Sequence, residues 1–162
     1  MKKLIMAAVA VVLVVVLGMA FMQKDTAPSA AFTALDGRQT STEALKGKVV
    51  LVNFWATSCS GCINEMPDLI KTHQQYAPQG YETVAVAMSY DPIDFVQAYA
   101  SKNNLPFFVT QDKDGALAKN FGEVRLTPTS ILIAKDGTII KRFLGEPDFK
   151  ELHQLIETAL KA

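Results

Sequence analysis

The sequence predicts an α/β domain: a mixed central β-sheet flanked by helices, opened by an N-terminal β-hairpin and carrying an inserted helix. Three observations predict it. Strand-like apolar runs alternate with segments of helical period from residue 48 onward. The run "KVVLVNFWA" (48–56) is almost wholly apolar and rich in β-branched and aromatic residues, so it reads as a strand buried on both faces, with helices above and below. Late in the chain, two strand-like runs flank Asp136-Gly137, a turn that adds an antiparallel hairpin to an otherwise alternating order.

The chain has 162 residues, of which the first thirty differ from the rest. Lys2 and Lys3 precede an unbroken apolar run from Leu4 to Met22. As a helix that run would reach roughly 28 Å, close to the ~30 Å hydrocarbon core of a bilayer. Residues 1–22 are therefore expected to be a membrane anchor. The alternative is a cleaved signal, with Gly18-Met19-Ala20 as a small-x-small cleavage pattern. Either way the N-terminal lysines stay in the cytoplasm and the remainder is exported. Residues 23–30 read as a linker and 31–162 as the folded domain, long enough to bury a core without covalent staples. With 16 basic and 16 acidic residues and no basic run, nothing points to nucleic acid.

The elements follow in order. "FTALDGRQTS" (32–41) alternates around Asp36-Gly37, a hairpin. "EALKG" is a helical turn ending at Gly47, and 48–56 is the buried strand. From Ser60, Ile63, Met66 and Ile70 recur at helical spacing, with Pro67 inside to kink the helix and Gly80 to end the segment. A second buried strand spans 83–88. Asp91-Pro92 then opens a helix to about Asn103, and a short strand spans 107–110. A short helix covers 115–122, strands cover 129–134 and 138–143, and an amphipathic helix runs from Phe149 to Leu160.

The chemistry-bearing stretch is "ATSCSGCINEMP" (56–67), which holds the only two cysteines, Cys59 and Cys62. A structural disulfide across two residues would constrain little of the unfolded chain. A structural zinc site needs four ligands. His73 follows Cys62 by 11 residues, roughly 16 Å along a helix, and His153 lies on the last helix, so no metal site is expected. A reactive pair fits best. Cys59 stands where a buried strand feeds a helix, and the unpaired N–H groups and dipole there favour a thiolate. Cys62, one turn later and more enclosed, is placed to resolve a mixed disulfide on Cys59.

"VNFWATSCSGCINEMP" at a strand-to-helix junction, together with the leading hairpin, the helix inserted near 92–103 and "LTPTS", resembles the thioredoxin superfamily. Within it the chain is similar to the membrane-anchored, extracytoplasmic TlpA-, ResA- and CcmG-like thiol–disulfide oxidoreductases. The resemblance covers roughly residues 30–162. It implies a thioredoxin fold with Cys59 as the exposed nucleophile and Cys62 as the resolving thiol. Pro67 would be the helix-kinking proline and Thr127-Pro128 the cis-proline segment facing the pair, its backbone open to a substrate strand. Glu65 would be a partly buried acid that tunes the thiols and moves protons. Thr127, Ser58 and Trp55 are expected to serve substrate binding, with Trp55 packed beneath the site. Asn53 stands where cytoplasmic thioredoxins have a buried aspartate. Two positions depart from the family pattern: Ser58 where an aromatic is usual, and the dipeptide Ser60-Gly61 between the cysteines.

The resemblance also implies partners. These are disulfide-bearing exported proteins, such as apocytochrome c or metal-delivery proteins for copper oxidases, and a DsbD- or CcdA-like membrane electron donor. No dissociable cofactor is expected, since the two sulfurs carry the electrons. Two other activities on the same fold are a Cu(I) metallochaperone using both thiolates and a thiol peroxidase. Copper-carrying relatives tend to space their cysteines CxxxC, with a histidine nearby.

Overall fold

The computed structural model describes residues 25–162; the anchor or signal expected over residues 1–22 lies outside them. Among the described residues no helix is long and apolar enough to cross a membrane.

A short hairpin opens the fold, β1 (Ala31–Thr33) and β2 (Gln39–Ser41), with Phe32 paired to Thr40. Asp36 holds its turn by accepting the Arg38 N–H at 3.0 Å, and Gly37 takes φ 86°, a conformation that favours glycine. The main sheet has five strands: β3 (Val49–Trp55), β4 (Tyr81–Ala87), β5 (Phe108–Gln111), β6 (Thr129–Ile133) and β7 (Ile139–Leu144), in the spatial order β5-β4-β3-β6-β7. β3 is central, parallel to β4 and antiparallel to β6, and all seven of its residues are buried. Its continuous apolar run is thus the signature of a strand covered on both sides.

Among the described residues four α-helices flank the sheet: α1 (Ser60–Tyr76), α2 (Ile93–Lys102), α3 (Ala116–Asn120) and α4 (Phe149–Lys161). Two cores result from the alternation of side chains along β3. Leu51 and Trp55 pack with Met66 and Leu69 of α1, Val96 of α2 and Leu152 and Ile156 of α4. Val52 and Phe54 pack on the other face with Phe32 of the hairpin and Ala118 and Phe121 at α3. α1 continues through Pro67, whose ring lies on the exposed side. Residues 25–30, read as linker, are tied to the domain. Ile139 N–H donates to the Asp25 carbonyl at 2.7 Å, Ala27 N–H to the Gly137 carbonyl at 2.9 Å, and Ala30 is buried.

Candidate active site

The site forms where β3 ends and α1 begins. Cys59 is the N-cap of α1, in extended conformation (φ −94°, ψ 108°), and its Sγ accepts the backbone N–H of Cys62 at 3.2 Å. The sequence folds this way because an N-cap must supply an acceptor for the orphan N–H groups of the first turn, and here a sulfur takes the role usually filled by an oxygen. The preceding turn closes with Cys59 N–H donating to the Ala56 carbonyl at 3.1 Å. Cys59 and Cys62 are joined as a disulfide, with their Cα atoms 5.3 Å apart. Cys59 is half-buried between exposed Ser58 and Ser60, whereas Cys62 is fully buried. The outer sulfur is the one a partner can reach.

The Thr127–Pro128 bond is cis, and Pro128 is buried. Its Cδ lies 3.5 Å from where a Cβ on Gly61 would stand, so the proline ring rests on the dipeptide between the cysteines. Thr127 is half-buried beside it. The segment is pinned from both ends, by Gly145 N–H donating to the Pro128 carbonyl at 2.8 Å and Thr129 Oγ1 donating to the Leu126 carbonyl at 2.7 Å.

Glu65 is wholly buried, which excludes the surface position open to a helical glutamate. Asn53 Nδ2, from β3, donates to Glu65 Oε1 at 2.7 Å and also to Ser130 Oγ at 2.9 Å. Burial, reinforced by the negative charge of Glu146, raises the Glu65 carboxyl to about 7, against the lowering effect of the Asn53 hydrogen bond. Glu65 Oε2, Asn53 Oδ1 and Trp55 Nε1 are buried and have no hydrogen-bond partner among the described residues. The arrangement holds one acid near neutrality, one helical turn from the buried sulfur.

Trp55 is a correction to the expected substrate contacts. It is fully buried, packed against Tyr99 with ring centroids 5.3 Å apart, and offers no surface to a docking protein. Being the last residue of a strand covered on both faces, it forms the floor of the site rather than its rim. The two histidines lie elsewhere. His73 is buried with Nδ1 3.3 Å from Thr83 Oγ1, and burial lowers its proton affinity; His153 Nε2 is 2.9 Å from Thr72 Oγ1. Among the described residues no group of three or more His, Cys, Asp and Glu side chains could hold a metal ion.

Three neighbours were not singled out from the sequence. Ser130 reads as an ordinary strand residue, and only its pairing opposite Asn53 brings it to Glu65's partner. Asp91 reads as a helix-opening residue, yet its carboxylate turns back to the cysteine turn at Thr57. Tyr90, exposed, sets its hydroxyl 3.3 Å from Thr127 Oγ1. No local pattern marks any of them.

Comparison with known proteins agrees with this geometry. Residues 22–156 match the Redoxin family. The chain is 35% identical over 132 residues to the thiol-disulfide oxidoreductase ResA of Bacillus thuringiensis subsp. konkukian, covering 81% of this chain and 75% of that one. It is 32% identical over 135 residues to the thioredoxin-like protein YneN of Bacillus subtilis, covering 81% and 76%. Among solved structures, a candidate thioredoxin from Neisseria meningitidis superposes with TM-score 0.79 at 44% identity, covering 86% of this chain and 92% of that one. A thiol:disulfide interchange protein of Chlorobium tepidum superposes with TM-score 0.78 at 26% identity, covering 85% and 97%. The chain thus belongs to the Redoxin family and is a ResA-like thiol–disulfide oxidoreductase of thioredoxin fold.

Proposed function

We propose that the protein is a reductase of disulfides in exported proteins, tethered to the bacterial cytoplasmic membrane by residues 1–22 with its domain on the extracytoplasmic side. The observation that carries the direction is how little holds a thiolate at Cys59. One backbone N–H reaches its sulfur. Among the described residues no Lys, Arg or His side chain hydrogen-bonds or ion-pairs with Cys59, Cys62 or Glu65. An ionised Glu65 below the pair would oppose a thiolate further. Stabilising the thiolate tenfold raises the potential of a two-electron couple by about 30 mV. A site with one donor and a buried acid therefore favours the disulfide form and makes the dithiol a reductant.

In the forward reaction the Cys59 thiolate attacks one sulfur of a substrate disulfide, forming a mixed disulfide and releasing the first substrate thiolate. Cys62 then loses its proton toward Glu65 and attacks Cys59 Sγ, releasing the second substrate thiolate and leaving Cys59–Cys62 oxidised. Two electrons pass from the pair to the substrate, whose thiolates take up protons. Thr127, Pro128 and exposed Ser58 line the approach to Cys59, where the substrate chain would lie. No dissociable cofactor is required. Regeneration needs a dithiol donor that brings electrons across the membrane, a role suited to a DsbD- or CcdA-like transporter. Substrates of this class include apocytochrome c before haem attachment and metal-delivery proteins for oxidases.

The test is the reduction potential of the Cys59–Cys62 pair, by equilibration with glutathione or dithiothreitol. A value near −270 mV, as in thioredoxin, is expected. A value near −120 mV, as in the oxidant DsbA, would make the protein a disulfide donor and overturn the reading.

A further inference from the structure

The loop 89–92, between β4 and α2, belongs to neither the cysteine motif nor the proline segment, yet it touches both. Asp91 is 2% exposed. Its Oδ2 accepts the backbone N–H of Thr57 at 2.6 Å, and its Oδ1 accepts the Thr57 hydroxyl at 2.5 Å. Its backbone is held in turn, with Asp91 N–H donating to the Met88 carbonyl at 3.0 Å and Gln111 Nε2 donating to the Asp91 carbonyl at 2.7 Å. Thr57 lies within the turn that Cys59 closes on Ala56. From the same loop Tyr90 reaches the other way, to Thr127.

The two limbs are unequal. A 3.3 Å contact between exposed hydroxyls contributes little, whereas short bonds from a buried carboxylate are of the strong, charge-assisted kind. Burying a carboxylate is costly when no cation offsets it, and among the described residues none pairs with Asp91. Both side-chain bonds it forms go to one residue, two positions before Cys59.

We propose that Asp91 is a positioning residue for Cys59: through Thr57 it fixes the turn 56–59 so that the Cys59 sulfur stays on the Cys62 N–H once the disulfide opens. This rests on Cys59 being the attacking sulfur. The carboxylate bonded to the turn is Asp91 from the β4–α2 loop, Glu65 on α1 is bonded instead to Asn53, and among the described residues no basic side chain hydrogen-bonds or ion-pairs with either. If the Thr57 hydroxyl is lost, two effects act in the same direction. The sulfur is less firmly held on its donor, and the Asp91 carboxylate on the same turn loses its hydroxyl donor. Both disfavour the thiolate.

The experiment measures iodoacetamide labelling of the reduced full-length chain from pH 5 to 9, with the alkylated cysteine identified by mass spectrometry. It compares wild type with Thr57→Ser, which keeps both bonds, and Thr57→Val, which keeps the volume and the backbone bond but loses the hydroxyl. Thr57→Ala loses the hydroxyl without adding a buried methyl group, so the comparison survives if the valine variant does not fold. Wild type and Thr57→Ser are expected to label Cys59 first with the same pH profile. The variants lacking the hydroxyl should label Cys59 about threefold more slowly at pH 7 for each unit by which the profile moves upward, since the smaller thiolate fraction is partly offset by a more nucleophilic thiolate. An unchanged profile in a folded Thr57→Val or Thr57→Ala, even with a lowered melting temperature, would make the clamp purely structural and overturn the proposal. Labelling of Cys62 first in the wild type would overturn the assignment of the attacking sulfur, and the proposal with it.

Discussion

Glu65 shows how one residue can set both chemistry and stability. Its carboxyl titrates at about 7 in the folded protein against an ordinary 4.5, chiefly through burial. Between those values the folded chain holds a proton that the unfolded chain has released, so stability falls as pH rises from about 4.5 to about 7 and levels off above. The whole effect is at most roughly 3 kcal/mol. Glu65→Gln keeps an oxygen for Asn53 Nδ2 but cannot ionise. The glutamine variant should therefore match wild type in urea denaturation at about pH 4, below the unfolded value, and exceed it at pH 8 by up to that amount; equal stability at pH 8 would mean that the acid is not desolvated. The cysteines give a second prediction, from the exposure of one sulfur and the burial of the other. Mixed with an oxidised peptide substrate, Cys62→Ser should accumulate a mixed disulfide through Cys59, visible on a non-reducing gel. Cys59→Ser should form none, and the opposite pattern would reverse the order of attack.

At the scale of elements, two aspartates cap helices in very different surroundings. Asp148 is exposed and accepts the N–H groups of Lys150 at 2.9 Å and Glu151 at 3.3 Å at the start of α4. Asp112 is 1% exposed and accepts those of Leu117 at 2.9 Å and Ala118 at 2.8 Å. α3 has only five residues and contributes Ala118 to the core beneath it. Water can replace the lost acceptor at exposed α4 but not at the buried Ala118 N–H of α3. Asp148→Ala should cost about 1 kcal/mol, as N-cap losses generally do, while Asp112→Ala should cost about 2 kcal/mol or more because it strands the buried Ala118 N–H. Chemical denaturation of the two variants side by side checks the order.

At the scale of the whole molecule, the hairpin, α3 and the start of the described chain cover one face of the sheet, and α1, α2 and α4 cover the other. The cysteine pair lies at the end of β3 where the chain enters α1, whereas Asp25 and Ala27 are bonded to the turn between β6 and β7. Val50 of β3 pairs with Ile133 of β6, next to that turn, and Phe54 pairs with Thr129, next to Pro128. The chain therefore enters the domain at the opposite end of the sheet from the disulfide. A tether entering there would leave the active end pointing away from the bilayer. A membrane-impermeant thiol reagent should label the reduced cysteines in intact cells, and deletion of residues 1–22 should move the protein out of the membrane fraction. Labelling only after lysis would place the domain in the cytoplasm and refute the proposed topology.

The sequence by itself determined the kind and order of the elements and the identity of the reactive pair. Those signals are local: the all-buried run of β3, the helical spacing after Ser60, the Asp-Gly turns, and two cysteines two residues apart at a strand-to-helix junction. Only the tertiary structure decided how deep each group lies. Helical spacing put Glu65 on the cysteine face, but its burial depends on Asn53, 12 residues away, and on Ser130, 77 residues from Asn53. Trp55 lost all its surface, and with it the expected substrate contact, because layers from α1 and α2 close over the end of β3. Asp91 came to Thr57 across 34 residues because β3 and β4 run parallel and end side by side, Trp55 against Ala87. Desolvation and hydrogen-bond partnership are properties of neighbours brought together by packing, and periodicity along a chain carries no record of them.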